Sequence, residues 1–371
     1  MREFNTRPKP QRMKSLDALR GFDMFWNTGG QKIIFALATI TVLPVFKWLD
    51  VQMHNVKWEG FAFYDIIFPL FLFLAGVSIP FSFDKRIANG ELKTSIYKRS
   101  FKRMMLLVLL GLIYNHLFNL DFENMQYASV LGRIGIAWFL AAVIYLNSSF
   151  HWKIIWFWGL LIGYCLLMLF VPVPGFGAGV LTPEGNLEGY IDRLILPGKL
   201  YLGTMDPEGI LRTIPAISTA LFGVFTGHFI RLQDVHLSNL RRGLLILAAG
   251  LLSLLLGHFW DMFFQIIKNL WTSSFVFFAG GWSLLLLGIL YLIIDVWGFH
   301  KWVFYFVVIG MNPITIYLVQ NRIIRFDLIR DFCFTGLVNI RRKQFSHLLA
   351  LSVTLPAYGY FCIFFIEKRY F

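Results

Sequence analysis

Residues 104–118, 154–171 and 243–258 are apolar around the full turn of a helix, and such runs recur along the chain. A helix on the surface of a soluble domain keeps a polar face toward water, and these runs have none to offer. About 20 apolar residues cross the hydrocarbon core of a bilayer. Repetition of such runs over 371 residues therefore predicts an all-α, polytopic transmembrane bundle. A membrane-spanning barrel would show short segments of alternating polarity instead, and the sequence carries no such pattern. Composition agrees: 15% of residues are charged, where a soluble domain carries about 25%.

Hydropathy predicts about ten spans, at 16–45, 61–83, 104–118, 129–146, 154–171, 209–230, 243–263, 273–296, 302–320 and 346–366. The first is long enough to contain a break, and Asn27-Thr28-Gly29-Gly30 is the place for it, because adjacent glycines weaken a helix. Unwound backbone at membrane depth is tolerated only inside protein or beside a cavity. The net charge of +13 would suggest nucleic acid in a soluble protein. Here the cations collect in short segments: 2–14, 85–103, 231–242 and 368–369. That distribution is the positive-inside pattern, and with an even number of spans it puts both termini in the cytoplasm. One cluster breaks the pattern: Arg322, Arg325, Arg330, Arg341, Arg342 and Lys343 fall on the outer side of this count. Either a re-entrant or extra span lies there or the segment serves an anionic partner, and a miscounted span explains it better. Loops 47–60 and 172–208 then face outward. In the second, Asp206 followed by Pro207 predicts a helix start. Residues 1–14 lack the features of a removable signal peptide. No repeat or soluble segment divides the chain, so 1–371 reads as one membrane domain with lipid around it; a homodimer is compatible with this. Cys165, Cys333 and Cys362 lie far apart, with no metal-ligand spacing.

The chemistry-bearing residues gather near the start of the chain. Asp17, Arg20, Asp23 and Asn27 follow helical spacing, so they form a polar stripe inside a span. Such a stripe must face the bundle interior or a watered path. His54 lies just before the second span, and Asp65 lies about one turn inside that span. An acid in an apolar span is costly and points to function, or to pairing with a cation such as Arg20. His116 and His258 rank next among the histidines, near predicted outer ends; the others sit in loops or at span ends. Periodicity alone implies a polar cavity, and a transporter with a broken helix would need one too.

Several motifs lead further. They are the segment 12–23 with Asp17, Arg20 and Asp23; Asn27 to Gly30; His54 to Gly60 with Trp58; and Asp65 to Pro69. Leu131-Gly132-Arg133, Asp206 to Ile210, Lys268-Asn269-Leu270-Trp271 and Gly310-Met311-Asn312-Pro313 continue them in order. Together they resemble the heparan-α-glucosaminide N-acetyltransferase family, a branch of the transmembrane acyltransferases, over nearly the whole chain. Asn27 and His54 stand further apart here than expected for the family's lysosomal member, which implies an insertion between them.

The resemblance implies an enzyme that takes acetyl from cytosolic acetyl-CoA and transfers it to an amino sugar or glycan on the far face. For a bacterial relative, the location implied is the inner membrane. His54 matches the family's active-site histidine and Asn27 its partner asparagine. His54 would act as general base or as transient acetyl carrier. Asn27 would donate to the developing oxyanion, and Asp65 would orient the imidazole. Arg20, Arg133, Lys268, Asn269 and Asn312 are expected along the acetyl-CoA path. Arg99, Lys102, Arg103, Arg241 and Arg242 are candidates for the nucleotide phosphates. An O-acyltransferase acting on an envelope polysaccharide, and a sugar transporter, are the competing readings.

Overall fold

The structure, a computed structural model, describes residues 13–41, 43–115, 117, 121, 123–232, 237–299 and 301–318. Helix α1 (Lys14–Phe25) runs into a single π turn, Trp26–Gly30, and re-emerges as α2 (Gln31–Ile40). The break falls where the sequence places it. Gly29 adopts φ of 117°, outside helical space and open in practice only to glycine. Helix α3 (Pro44–Gln52) follows, then a 3₁₀ turn, Phe63–Ile66, leads into α4 (Ile67–Ala88).

The remaining helices are α5 (Lys93–Tyr114), α6 (Val130–Asn147), α7 (Phe150–Phe170), the short α8 (Leu187–Ile195), α9 (Thr213–Arg231) and α10 (Asn239–Asp261). After a 3₁₀ turn at Lys268–Leu270 come α11 (Ser273–Leu290), the two short helices α12 (Phe304–Met311) and α13 (Pro313–Leu318), with a π segment at Tyr291–Val296 between α11 and α12. Among the described residues there is no strand, only three isolated bridges, the result expected of a helical bundle.

Among the described residues, six helical stretches are long and apolar enough to cross a membrane: Phe63–Ala88, Val130–Asn147, Phe150–Phe170, Thr213–Arg231, Asn239–Asp261 and Ser273–Val296. They coincide with six of the ten predicted spans. The predicted first span is divided by the π turn and then by the extended residues around Thr41. The predicted third lies in α5, whose first half carries Lys93, Lys98, Arg99, Lys102 and Arg103. The span expected at 302–320 is split at Asn312, which leaves helical space with φ of −133°. The span 346–366 and the basic cluster from Arg322 to Lys343 lie outside the described residues, as do both chain ends.

Helices α4, α6, α9 and α11 form the interior, with 61–67% of each apolar window buried, against 28% for α7 and α10. The inner helices approach through glycine. A side chain at Gly76 would run into the Ala220 carbonyl, and one at Gly223 or Gly227 into the Phe73 or Val77 carbonyl. In lipid, where apolar side chains gain nothing by leaving their solvent, this close backbone packing is a main source of helix association. Helix α12 reaches α1 in the same way, with Gly21 against Phe306 and Gly310 against Asp17. Trp138, Phe157, Leu161, Trp271 and Phe275 fill the space between these helices.

The predicted helix start at Asp206 is displaced. Asp206 instead turns its carboxylate onto the Glu208 amide (2.9 Å), and α9 begins at Thr213. Asp192 of α8 accepts from the Ile210 amide at 3.2 Å, which holds the intervening loop away from helical geometry.

Candidate functional site

The broken helix borders a cavity of about 380 Å³ lined by residues that include Asp23, Asn27, Asn55, Tyr64, Phe68, Phe71, Tyr201, Glu208, Lys268 and Tyr317. A second cavity of about 670 Å³ shares Asn55, Tyr201, Glu208, Lys268 and Tyr317 and adds Asn115, Gln126, Asp206 and Asn269. The two adjoin through these common walls. Loops 53–60 and 172–208 thus meet at one end of the bundle, together with the turn before α11.

That junction is pinned by hydrogen bonds. The Gly60 amide donates to the Ile266 carbonyl (2.9 Å), and the Asn269 side chain donates to the Lys57 carbonyl (3.2 Å). Lys268 Nζ donates to Asp65 Oδ1 at 3.0 Å and to Asn55 Oδ1 at 2.6 Å. The other oxygen of Asp65 accepts from the Ala62 amide at 2.9 Å. Asp65 is fully buried, and its cation is therefore Lys268, not Arg20.

The expected contact between Asp65 and His54 is not present. His54 Nδ1 lies 2.8 Å from the Asp50 carbonyl, and its ring stacks on Phe35 at 4.5 Å. A carbonyl only accepts, so Nδ1 carries the proton and Nε2 the lone pair. The backbone of α3 supplies the tautomer that the sequence reading assigns to Asp65. His54 is exposed and stands at the rim: its neighbour Asn55 lines both cavities, and His54 lines neither.

Of the other expected residues, Asn27 and Lys268 line the smaller cavity and Lys268 and Asn269 the larger. Asn312 caps α12 and lines neither, although its neighbours Pro313 and Ile314 line the smaller one. Arg133 lies behind the wall. Its guanidinium sits 4.4 Å from the Phe68 ring and 4.2 Å from that of Trp271, and it pairs with Glu208 at 3.1 Å. Trp271, buried and left-handed at φ of 51°, is held by its bond to Thr219 (3.0 Å). Backbone of that kind in a non-glycine residue persists where the surroundings over-determine it.

Glu208 lines both cavities, although the sequence marks it only within the segment 206–210 and a helix start. Burial pushes its carboxyl above the usual range, with Arg133 pulling the other way. Burial raises Asp206 as well, against amide donors at Glu208 and Tyr201. Beneath them, Arg212 is fully buried and pairs with Glu188 at 2.8 Å and with Asp192 at 3.8 Å. Burial lifts Glu188 to about 8 despite Arg212, and raises Asp192 also. Nothing in the local pattern of α8 announces this network, because its partners lie on other elements.

Arg20 points away from the cavity. It bonds Asp17 (3.3 Å), the Leu74 carbonyl (3.5 Å) and the Ser78 hydroxyl. Ser78 in turn lines a small pocket of about 100 Å³ with Ser82, Arg86, Arg99, Ser100 and Arg103. Arg103 lies over Trp138 at 4.4 Å. Of the expected phosphate contacts, Arg99 and Arg103 meet here, whereas Lys102, Arg241 and Arg242 do not line this pocket.

Two curated proteins are similar over most of the chain. The heparan-alpha-glucosaminide N-acetyltransferase of Mus musculus is 28% identical over 376 residues, covering 84% of this chain and 54% of that protein. The Homo sapiens protein of the same name is 29% identical over 372 residues, covering 83% of this chain and 52% of its own length. The chain thus spans about half the length of the curated relatives it matches. No protein-family model matches it. The similarity extends well beyond the segments around the cavity, and it relates this membrane protein at family level to the heparan-alpha-glucosaminide N-acetyltransferases.

Proposed function

We propose that this protein is a transmembrane acetyltransferase that moves acetyl from cytosolic acetyl-CoA to an amino sugar or glycan on the outer face of a bacterial inner membrane. One observation carries the reading: Asn27, Asn55, Glu208 and Lys268, from four separate motifs, share one cavity wall in a chain related to N-acetyltransferases.

The donor's shape supports it. Phe68 and Phe71 of the cavity and Ser82 of the arginine pocket lie on the same helix, α4. From Phe68 to Ser82 is 14 residues, about 21 Å along the axis. Helix α6 shows the same order, with Leu131 and Ile134 at the cavity and Trp138 at the pocket. Arg86, Arg99 and Arg103 suit phosphate groups at one end of an extended donor. The cavity suits the reacting end, with Arg20 between the two.

In the reaction the acceptor nitrogen attacks the thioester carbonyl. An N–C bond forms, the C–S bond breaks and the coenzyme leaves as its thiolate. His54 takes the amine's proton on Nε2, the nitrogen left basic by the Asp50 carbonyl. Asn27 donates an amide hydrogen to the oxygen that becomes negative. Lys268 and Asp65 act as positioning residues: through Asn55 they hold the segment that carries His54. Arg133 and Asn269 support the wall, and Asn312 sets the turn that presents Pro313 and Ile314.

Purified protein incubated with labelled acetyl-CoA and glucosamine tests this. N-acetylglucosamine should form. His54→Ala should lower kcat by about 10²–10⁴-fold with acetyl-CoA still bound, and Asn27→Ala by about 10²-fold. Accumulation of sugar inside vesicles without acetylation would instead mark a transporter.

A further inference from the structure

Three of the residues lining the smaller cavity carry a carboxylate or an ammonium group: Asp23, Glu208 and Lys268. Glu208 is paired with Arg133 at 3.1 Å. Lys268 is paired with Asp65 and bonded to Asn55. Asp23 is left over. It is 1% exposed, and neither of its oxygens has a hydrogen-bond partner among the described residues. Arg20, one turn earlier on α1, is turned toward Asp17 and Ser78.

A buried carboxyl group without a donor is one of the costliest features a membrane bundle can hold. The cavity beside it is polar on several sides, with Asn27, Asn55, Tyr64, Tyr201 and Tyr317, and it also presents the rings of Phe68 and Phe71. Amide and phenol groups bond sugar hydroxyls, and aromatic rings cover the apolar face of a sugar. Its volume of about 380 Å³ falls among small-molecule sites. Of the carboxyl and ammonium groups on the wall, Asp23 is the one left without a counter-ion or donor among the described residues. A cationic guest completes the balance, and an anionic one worsens it.

We propose that Asp23 is the residue that selects the acceptor, holding the ammonium group of an amino sugar in this cavity and taking one proton from it, which leaves the neutral amine to attack the thioester. The inference rests on the acetyltransferase reading only for the acceptor's role and its attack; binding by Asp23 needs no acetyl-CoA. Asp23 favours acceptors bearing an amine over neutral sugars of the same shape.

Calorimetric titration of the detergent-solubilised chain with glucosamine and, separately, with glucose tests the idea without acetyl-CoA. The wild type should bind glucosamine at least about tenfold tighter than glucose. Asp23→Asn should erase that preference while acetyl-CoA binding is unchanged, and Asp23→Glu should restore part of it. In turnover, Asp23→Asn should raise KM for glucosamine at least about tenfold. An Asn variant that still prefers glucosamine, a wild type that binds neither sugar, or a joint loss of acetyl-CoA binding would overturn the proposal. Wild-type protein that binds glucosamine through Asp23 yet acetylates nothing would sink the acetyltransferase reading and leave this one standing. Acetylation with an unchanged KM in Asp23→Asn does the reverse.

Discussion

Asp65 and Lys268 lie 203 positions apart, yet a hydrogen bond joins them where Lys268 lines the cavity. The acid is legible in the sequence because a carboxylate in an apolar span is conspicuous. Its partner is not, since any of several cations would serve and only folding selects one. Removing one member of a buried pair is worse than removing both, because the survivor keeps its desolvation cost. Lys268→Met should therefore destabilise the protein by about 3 kcal/mol. The double variant with Asp65→Asn should recover part of the loss, as read by melting in detergent. A double variant less stable than the sum of the singles would show that the pair is not coupled in this way.

Among the elements, α4 and α9 show how glycine sets a distance. Gly223 and Gly227, four apart on α9, face the backbone of α4 at Phe73 and Val77. Gly223→Leu should cost about 3 kcal/mol through overpacking, and it should separate α4, which carries Phe68, from α9, which Arg212 precedes. The readout is loss of monodisperse protein on purification. The α8 cluster behaves differently, because its cost is electrostatic. Burial raises Glu188 from 4.5 to about 8, so the folded state keeps a proton that the unfolded chain releases above about 4.5. The stability this contributes is complete below about 4.5 and is lost as pH rises through 8. The melting temperature should fall between pH 5 and pH 8.5, and Glu188→Gln should flatten that fall. The same slope in the variant would assign it to other groups, with Asp192, Asp206 and Glu208 the nearest candidates.

On the scale of the whole molecule, α4 and α6 link the two ends of the proposed donor path. The arginine pocket and the cavity at Asn27 are separate features joined by helix faces and by Arg20, so their contributions should separate in kinetics. Arg103→Gln should raise KM for acetyl-CoA several-fold and leave KM for acetyl-pantetheine, which lacks the nucleotide, unchanged. An equal rise for both donors would detach the pocket from the phosphates. The periphery follows from the same architecture: α7 and α10 are the least buried of the six long apolar helices and lie on the outside of the bundle, while α4, α6, α9 and α11 lie within it.

The membrane class, six of the long helices, the break at Asn27 to Gly30 and the residues worth inspecting were all present in the sequence. Each depends on local chemistry: uninterrupted apolar runs, adjacent glycines, and charges where lipid should repel them. The tertiary structure alone decided which charges meet. Lys268 goes to Asp65, Arg133 to Glu208 and Arg212 to Glu188, each joining distant segments. It also decided that Asn312 interrupts a predicted span, and that the Asp50 carbonyl, not Asp65, holds the His54 ring. Periodicity assigns residues to a face. Only packing, which brings particular faces together and excludes water between them, determines which buried polar group is matched and which, like Asp23, is left open.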